Sequence, residues 1–140
     1  MGFLSMLFGC GDGDDRFHSE ADYQRNLAHQ TEMTPQTVDQ LRSHGVGPDS
    51  MLRLEFFFYT DTDAKASKLA SVLQGLGYDV EHVEAADGNG SFLVNGWTTR
   101  LRMDTPGVVS WTREMCNIGY SHDAEFDGWG TNPEQEQTTE

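Results

Sequence analysis

The chain has 140 residues, of which 36% are hydrophobic and 11% aromatic, so it can fold as one domain with a modest core and is not a wholly disordered protein. Its 23 acidic residues outnumber 9 basic ones, and the net charge of −14 repels phosphate backbones and anionic lipid while it favours a cationic partner. Only Cys10 and Cys116 occur, which excludes a disulfide scaffold, a zinc ribbon and an iron–sulfur cluster and indicates a reducing cytoplasm.

Residues 1–33 are expected to form an N-terminal extension that is partly flexible. The apolar residues 1–10 contain no Lys or Arg, since the first basic residue is Arg16, and they are too few to span a membrane. A signal peptide and stable membrane insertion are therefore not expected. Residues 11–15 have the composition of a flexible acidic linker.

Two helices are predicted before the first strand. Ser19 and Asp22 have the spacing of a helix-capping box, which predicts a short helix over about residues 20–31. Thr34 and Pro35 then provide an N-cap and a proline at the first helical position, which begin a second helix. Its apolar face consists of Val38 and Leu41. Gly45, Gly47 and Pro48 are expected to end it.

The clearest strand covers residues 51–59, where side chains alternate between two faces. One face is apolar and is expected to pack on helices: Leu52, Leu54, Phe56 and Phe58. The other is half polar and half aromatic, as expected where a sheet face meets water or a partner: Met51, Arg53, Glu55, Phe57 and Tyr59.

A helix is predicted after this strand. Residues 60–63 provide its cap, and it runs to about Leu76, where Gly77 supplies the C-terminal cap. The apolar side chains with helical spacing are Leu69, Val72, Leu73 and Leu76.

Two further strands follow the helix. Alternation predicts one strand from Tyr78 to His82 and another over residues 92–103, with a bend at Gly96. Residues 85–90 are expected to form the turn between them.

The last helix and the last strand complete the pattern. Thr105 and Pro106 repeat the N-cap and proline device, and Gly119 is expected to end the helix. Its apolar face consists of Val108, Trp111, Met115 and Ile118. Ala124 and Phe126 belong to a final strand, and residues 133–140 have the composition of a polar tail.

The order strand, helix, strand, strand, helix, strand predicts an α+β fold of the ferredoxin-like βαββαβ type. In such a sandwich a four-stranded antiparallel sheet carries two helices on one face. One or two extra N-terminal helices precede it here.

No arrangement of side chains points to catalysis, a metal or a cofactor. The five histidines lack metal-ligand spacing, and the chain has no serine or cysteine nucleophile motif and no phosphate-binding loop. Glu81 and Glu84 lie on opposite faces of a strand and cannot act as a pair. RNA-recognition modules stack bases on aromatic side chains of such a sheet, but Glu55 and the net charge oppose direct nucleic-acid binding.

The segment over residues 125–131, Glu-Phe-Asp-Gly-Trp-Gly-Thr, combines two aromatic residues, two carboxylates and two glycines. Glycine weakens a strand and marks a bend or a close backbone approach, so an ordinary strand is not expected here. The segment resembles the E-Y/F-D-G-W-G-T signature of the regulator of ribonuclease E activity B (RraB) family of small bacterial proteins. Residues 36–49 and 76–80 are similar to other parts of that family, so the likeness covers about residues 34–132.

The resemblance implies a ferredoxin-like domain over residues 34–132 and a cytoplasmic protein without enzymatic activity. It also implies binding to a basic, disordered region of a ribonuclease E assembly, whose RNA-degrading activity the protein would lower. The alternatives are a different protein partner, or a small-molecule or enzymatic role in a cleft of the sheet. A monomer is the default expectation, and the acidity could also serve solubility alone.

Five residues are candidates for partner binding. Glu125, Asp127 and Trp129 come from the signature segment, where the glycines would expose the indole beside a carboxylate. Phe57 and Tyr59 come from the half-polar face of the first strand. For Trp129 the preferred interpretation is that the indole packs the last strand onto the domain, and partner binding is the alternative.

Overall fold

The computed structural model describes residues 16–86, 90–135 and 138–139. The predicted linker over residues 11–15, the apolar residues 1–10 and the middle of the 85–90 turn lie outside the described residues. The elements of the described part are α1 (Glu20–Arg42), β1 (Ser50–Thr60), α2 (Asp63–Gln74), β2 (Asp79–Glu84), β3 (Phe92–Arg102), α3 (Thr105–Ser121), β4 (Glu125–Gly130) and β5 (Thr138–Thr139). Within this part every helix is too short or too polar to span a bilayer.

Four strands form an antiparallel sheet in the order β2-β3-β1-β4, and β5 pairs with the start of β1. This architecture confirms the predicted α+β class. Between β4 and β5, the side-chain amide of Gln135 accepts a hydrogen bond from the backbone N–H of Arg53 and donates one to its carbonyl. Gln135 thus acts as a strand partner for β1 where the backbone of β4 has ended.

The alternation predicted for β1 is confirmed. Its even-numbered residues are buried and its odd-numbered residues are half-buried, from one end of the strand to the other. We call the two sides of the sheet the inner face, which carries Leu52, Leu54, Phe56 and Phe58, and the outer face, which carries Met51, Arg53, Glu55, Phe57 and Tyr59. The inner face forms one hydrophobic core with buried residues of all three helices.

The two predicted N-terminal helices are one continuous helix, α1. Its start is as predicted, because the Ser19 hydroxyl accepts a hydrogen bond from the N–H of Asp22. The predicted break at Thr34 and Pro35 is wrong, since Pro35 lies inside the helix. Pro35 removes one backbone donor, but the Thr34 hydroxyl, instead of capping a new helix, contacts α3 and β4 and holds this part of α1 against the core.

The buried face of α2 differs from the predicted apolar face. Its buried face consists of Ala66, Leu69, Ala70 and Leu73, whereas Val72 and Leu76 are 38% and 49% exposed. The two alanines let the helix lie close to the sheet, which rotates the larger side chains at its edge toward solvent. The helix ends at Gln74 with Gly75 as its C-cap, so the predicted end at Leu76 and cap at Gly77 are wrong. Gly77 ends the turn that follows: its φ is 89°, and the N–H of Tyr78 reaches back to the carbonyl of Leu73.

Helix α3 begins at Thr105, the residue predicted to be its cap, and it continues beyond its predicted end. The Asp104 carboxylate caps the helix, and Gly119 lies inside it. A Cβ on Gly119 would lie 2.9 Å from the Ala124 carbonyl oxygen and 3.0 Å from the Phe58 ring, so this glycine permits close packing instead of ending the helix. The residue that turns the chain is Asp123, with φ of 57°.

The irregularity of β3 lies two residues beyond the predicted bend at Gly96. Gly96 pairs in register with Phe56 and Val80, and a Cβ there would lie 1.8 Å from the carbonyl oxygen of Asp79. The register with β1 shifts opposite Leu54, whose N–H donates instead to the hydroxyl of Thr98 at 2.9 Å.

Candidate functional site

The signature segment forms β4, and it is a strand with a bulge. Phe58 pairs with Phe126 and Phe57 pairs with Gly128, so Asp127 is an extra residue without a pairing partner in β1. Gly128 has φ of 129°, a backbone conformation that other residues rarely adopt. The glycine predicted to prevent an ordinary strand therefore allows the bulge.

The bulge explains the spacing of the two aromatic residues in the signature segment. Phe126 and Trp129 are three positions apart, and in a regular strand they would face opposite sides of the sheet. With one residue bulged, Trp129 pairs with Phe56 and both rings reach the inner face. Phe126 is fully buried, and Trp129 packs against the core.

Trp129 joins three elements of the fold. Its ring lies edge-to-face on Trp111, with ring centroids 6.2 Å apart. Its indole N–H donates to the Thr34 hydroxyl at 3.0 Å, and this hydroxyl also bonds to that of Thr112 at 2.9 Å. The packing interpretation of Trp129 therefore has direct support in the structure.

The other four candidate residues lie around the same end of β1. Tyr59 and Glu125 are cross-strand partners on the outer face, and they line a cleft of about 600 Å³. Phe57, Asp127 and a remaining edge of Trp129 line a smaller cleft of about 260 Å³ next to α1. The five candidates are thus near one another but divided between two clefts.

The outer face is polarised in charge. Acidic and aromatic side chains occupy the end nearer to Glu125, whereas the opposite end carries Arg53 and Arg100. Arg53 is already neutralised by Asp79, with 2.6 Å between Nη2 and Oδ2. A cationic partner would therefore meet the less compensated charge at the Tyr59 and Glu125 end.

The two signature carboxylates are unfavourably placed in the free protein. Burial raises the pKa of Glu125, and the neighbouring charges of Asp127 and Asp22 raise it further. Burial also raises the pKa of Asp127. Among the described residues, neither carboxylate accepts a hydrogen bond or forms a salt bridge. Glu125 is half-buried and therefore loses hydration without gaining a partner, whereas Asp127 remains exposed to solvent.

Asp123 is a structurally important residue that the sequence did not indicate. Its carboxylate accepts hydrogen bonds from the backbone N–H groups of Phe17 and His18 and from the ammonium group of Lys65, at 2.6 to 2.9 Å. Burial alone would raise its pKa, but these hydrogen bonds bring the pKa below its ordinary value. The available signal was an aspartate, a residue that tolerates positive φ, shortly after a helix.

Helix α1 covers the free edge of β4. The side-chain amides of Asn26 and Gln30 both donate to the carbonyl of Phe126, at 2.9 and 3.5 Å. The residues before α1 dock as well, because His18 is buried and its ring lies edge-to-face against the stacked rings of Tyr23 and Tyr120. The N-terminal half of α1 therefore supports the signature segment from the side.

The described residues contain no group of three or more metal-ligating side chains. The Cys116 thiol is buried, and burial raises its pKa to about 12, which makes it a poor nucleophile. Neither observation supplies reactive chemistry to the two clefts.

The chain is similar to a known protein family over most of its length. The family model described as "Regulator of ribonuclease activity B" matches residues 31–131. Three proteins named "Regulator of ribonuclease activity B" are similar to this chain. The one from Photobacterium profundum is 25% identical over 114 residues, which cover 78% of this chain and 84% of the relative.

The other two relatives have similar coverage. The protein from Salmonella typhi is 25% identical over 108 residues, or 75% of this chain and 78% of the relative. The protein from Psychromonas ingrahamii is 28% identical over 113 residues, or 78% of this chain and 92% of the relative.

Proposed function

Because this chain belongs to the regulator of ribonuclease activity B family, we propose that it is a non-catalytic protein that binds a ribonuclease E-type assembly and lowers its activity. Such a protein would modulate RNA turnover in the cytoplasm of a bacterium. The partner region would be a basic, disordered segment of the enzyme, which becomes ordered as it binds.

One observation carries this proposal: the carboxylates of half-buried Glu125 and exposed Asp127 have no cationic partner among the described residues. They lie near Phe57 and Tyr59, which are half-buried residues of the outer face. A basic segment would neutralise these charges, and complementary charge speeds association and sets specificity. The net charge of −14 favours the same class of partner over RNA itself.

We also propose that the fold is ferredoxin-like. The sequential order β1-α2-β2-β3-α3-β4 supports this assignment, with α1 as the extra N-terminal helix. The proposed domain over residues 34–132 then uses the helices to form the core and leaves the outer face for the partner.

The proposal is tested by affinity purification of the tagged full-length protein from a native bacterial lysate at about 50 mM salt, with mass spectrometry of the bound proteins. We expect a ribonuclease E-type endonuclease, and we expect the added protein to slow RNA cleavage by that enzyme. Binding should weaken by about 300 mM salt, because exposed charges are screened beyond a Debye length of 10 Å or less.

A double variant sharpens the test. Glu125→Gln with Asp127→Asn removes the two signature charges, and Glu32→Gln with Glu114→Gln removes two charges from exposed helix positions. We expect the first pair to abolish recovery and inhibition of the ribonuclease, and the second pair to preserve both. Recovery of an unrelated metabolic enzyme with unchanged RNA cleavage would contradict the proposal and favour a different protein partner.

A further inference from the structure

The larger cleft lies at the end of the outer face where β1 and β4 meet the β2–β3 turn. Its volume is about 600 Å³, and its walls include Phe17, Tyr59, Asp61 and Glu125. Phe17 is 38% exposed and Tyr59 is half-buried, so aromatic surface faces the cleft from two sides. A space of this size exceeds the volume of one long side chain.

An aromatic ring and a carboxylate lie side by side on the floor of this cleft. Tyr59 and Glu125 are directly opposite each other in the antiparallel pair formed by β1 and β4. The Cβ atoms of such partners are about 4.5–5.5 Å apart, so their side chains lie on the same face and are close enough to contact the same bound group.

Glu125 differs from the neighbouring carboxylates of Asp61, which is exposed, and Asp123, which is buried, because its charge is not paired. Asp61 and Asp123 both pair with the ammonium group of Lys65, at 2.8 and 2.6 Å. Glu125 has no such partner among the described residues, and the groups that act on its ionisation are the like charges of Asp127 and Asp22. Asp22 itself forms a salt bridge with Arg25. The Glu125 carboxylate in this cleft is therefore available to pair with a cationic group of another molecule.

We propose that this cleft is an arginine-binding site for the protein partner. The planar guanidinium group lies against the Tyr59 ring and donates two hydrogen bonds to the Glu125 carboxylate. This inference rests on the proposed function, since the arginine belongs to the basic segment of the ribonuclease.

Arginine fits the cleft better than lysine does. A guanidinium is flat and weakly hydrated, it stacks on aromatic rings, and its parallel N–H groups match the two carboxylate oxygens. The ammonium group of lysine is compact and strongly hydrated, and it gains less from the ring. The cleft should therefore discriminate between two peptides of equal charge.

The test compares binding of hexa-arginine and hexa-lysine to the full-length protein, measured by isothermal titration calorimetry at about 100 mM salt. We expect wild-type protein to bind hexa-arginine roughly fivefold or more tightly than hexa-lysine. Glu125→Gln and Tyr59→Leu should reduce the ratio to about one, whereas Tyr59→Phe keeps the ring and should preserve it. The control Glu114→Gln removes the same charge from an exposed position on α3 and should lower both affinities equally.

Equal affinity of the wild-type protein for the two peptides would overturn this inference, as would a preference for arginine that survives Glu125→Gln. Circular dichroism of each variant verifies that the fold is intact, and Tyr59→Phe remains informative if Tyr59→Leu is unstable. The proposed function fails separately: a protein that prefers arginine but neither recovers nor inhibits a ribonuclease keeps the cleft assignment and loses the ribonuclease partner. A protein that inhibits the ribonuclease but does not prefer arginine would keep the proposed function and lose the assignment of the cleft.

Discussion

The indole N–H of Trp129 donates a hydrogen bond to the hydroxyl of Thr34 at 3.0 Å, across 95 positions of sequence. Because Thr34 is buried and also bonds to Thr112, β4 meets α1 and α3 at one polar contact inside an apolar core. The stability of the signature segment therefore depends on a helix that the signature does not include.

Trp129→Ala should lower the free energy of unfolding by about 3 kcal/mol or more, because it removes a large packed ring from the core. Thr34→Val should cost about 1–3 kcal/mol, since the indole N–H is left without an acceptor. Urea denaturation measures both. The control is Trp97→Ala, which truncates a half-buried indole on the outer face and should cost less. Equal losses for the two tryptophans would contradict the role given to Trp129.

Gly128→Ala should destabilise the protein by about 1–3 kcal/mol, because the bulge needs positive φ at this position. The matched control is Gly130→Ala in the same strand, where an added Cβ meets no atom within 4 Å. We expect the control to change stability by no more than about 0.5 kcal/mol. Thermal denaturation of the two variants side by side decides the matter, and similar melting temperatures would show that the bulge tolerates any residue.

Stability should fall between pH 7.5 and pH 5.5 because of His18. Burial lowers the pKa of His18 below its ordinary value of 6.5, against the opposing influence of Asp22 and Asp123. As the pH falls, the His18 side chain of the unfolded chain becomes protonated before that of the folded protein. The free energy of unfolding contributed by neutral His18 is therefore complete above pH 6.5 and is lost as the pH falls toward the lower pKa of the folded state.

His18→Leu should flatten this dependence of the urea midpoint on pH, and His29→Gln, at an exposed position of α1, should leave it unchanged. A wild-type slope that persists in His18→Leu would assign the titration to another group. The comparison between variants matters, because carboxylates with raised pKa act in the opposite direction at lower pH.

Glu125→Gln should stabilise the free protein at pH 7 while it weakens partner binding. The pKa of Glu125 is raised in the folded protein, so ionisation disfavours folding, and the neutral amide removes this penalty. The gain should be below about 1 kcal/mol for a half-exposed group, and it should vanish as the pH falls through the raised pKa toward 4.5. Differential scanning calorimetry against Glu114→Gln measures it, and a loss of stability at pH 7 would refute the electrostatic account.

Regular alternation was the most dependable sequence signal. The two faces of β1 followed from it, because local backbone geometry determines which side chains share a face. The end of α2 was placed two residues too late, because the turn at Gly77 follows the helix and does not cap it. The face of α2 was less predictable, since hydrophobic size favoured Val72 and Leu76 whereas the structure buries Ala66 and Ala70. Close approach of a helix to a sheet rewards small residues, and this depends on the opposing surface.

The continuity of α1 and the grouping of the candidate residues depend on tertiary contacts, which the sequence pattern does not reveal. Thr34 and Pro35 have the form of a helix start, yet the Thr34 hydroxyl bonds to Thr112 and Trp129, which lie far along the chain. The candidate residues in β4 could be selected from the signature segment, but their distribution between two clefts depends on one bulged residue. A register shift of this kind leaves no periodic trace in a sequence of six residues.

The bulge in β4 also shows which residue the sheet does not require. If Asp127 were deleted, Phe126, Gly128 and Trp129 would alternate regularly, and both rings would still pair on the inner face with their present neighbours in β1. The pairing of β1 with β4 would then continue without the present register shift. Asp127 is therefore dispensable to the architecture, and its presence extends a carboxylate from an edge strand that would be more regular without it. Phe126, Gly128 and Trp129 each have a role in the packing or pairing of β4. A variant that lacks Asp127 therefore separates the residues required for folding of the strand from the one available for binding another molecule.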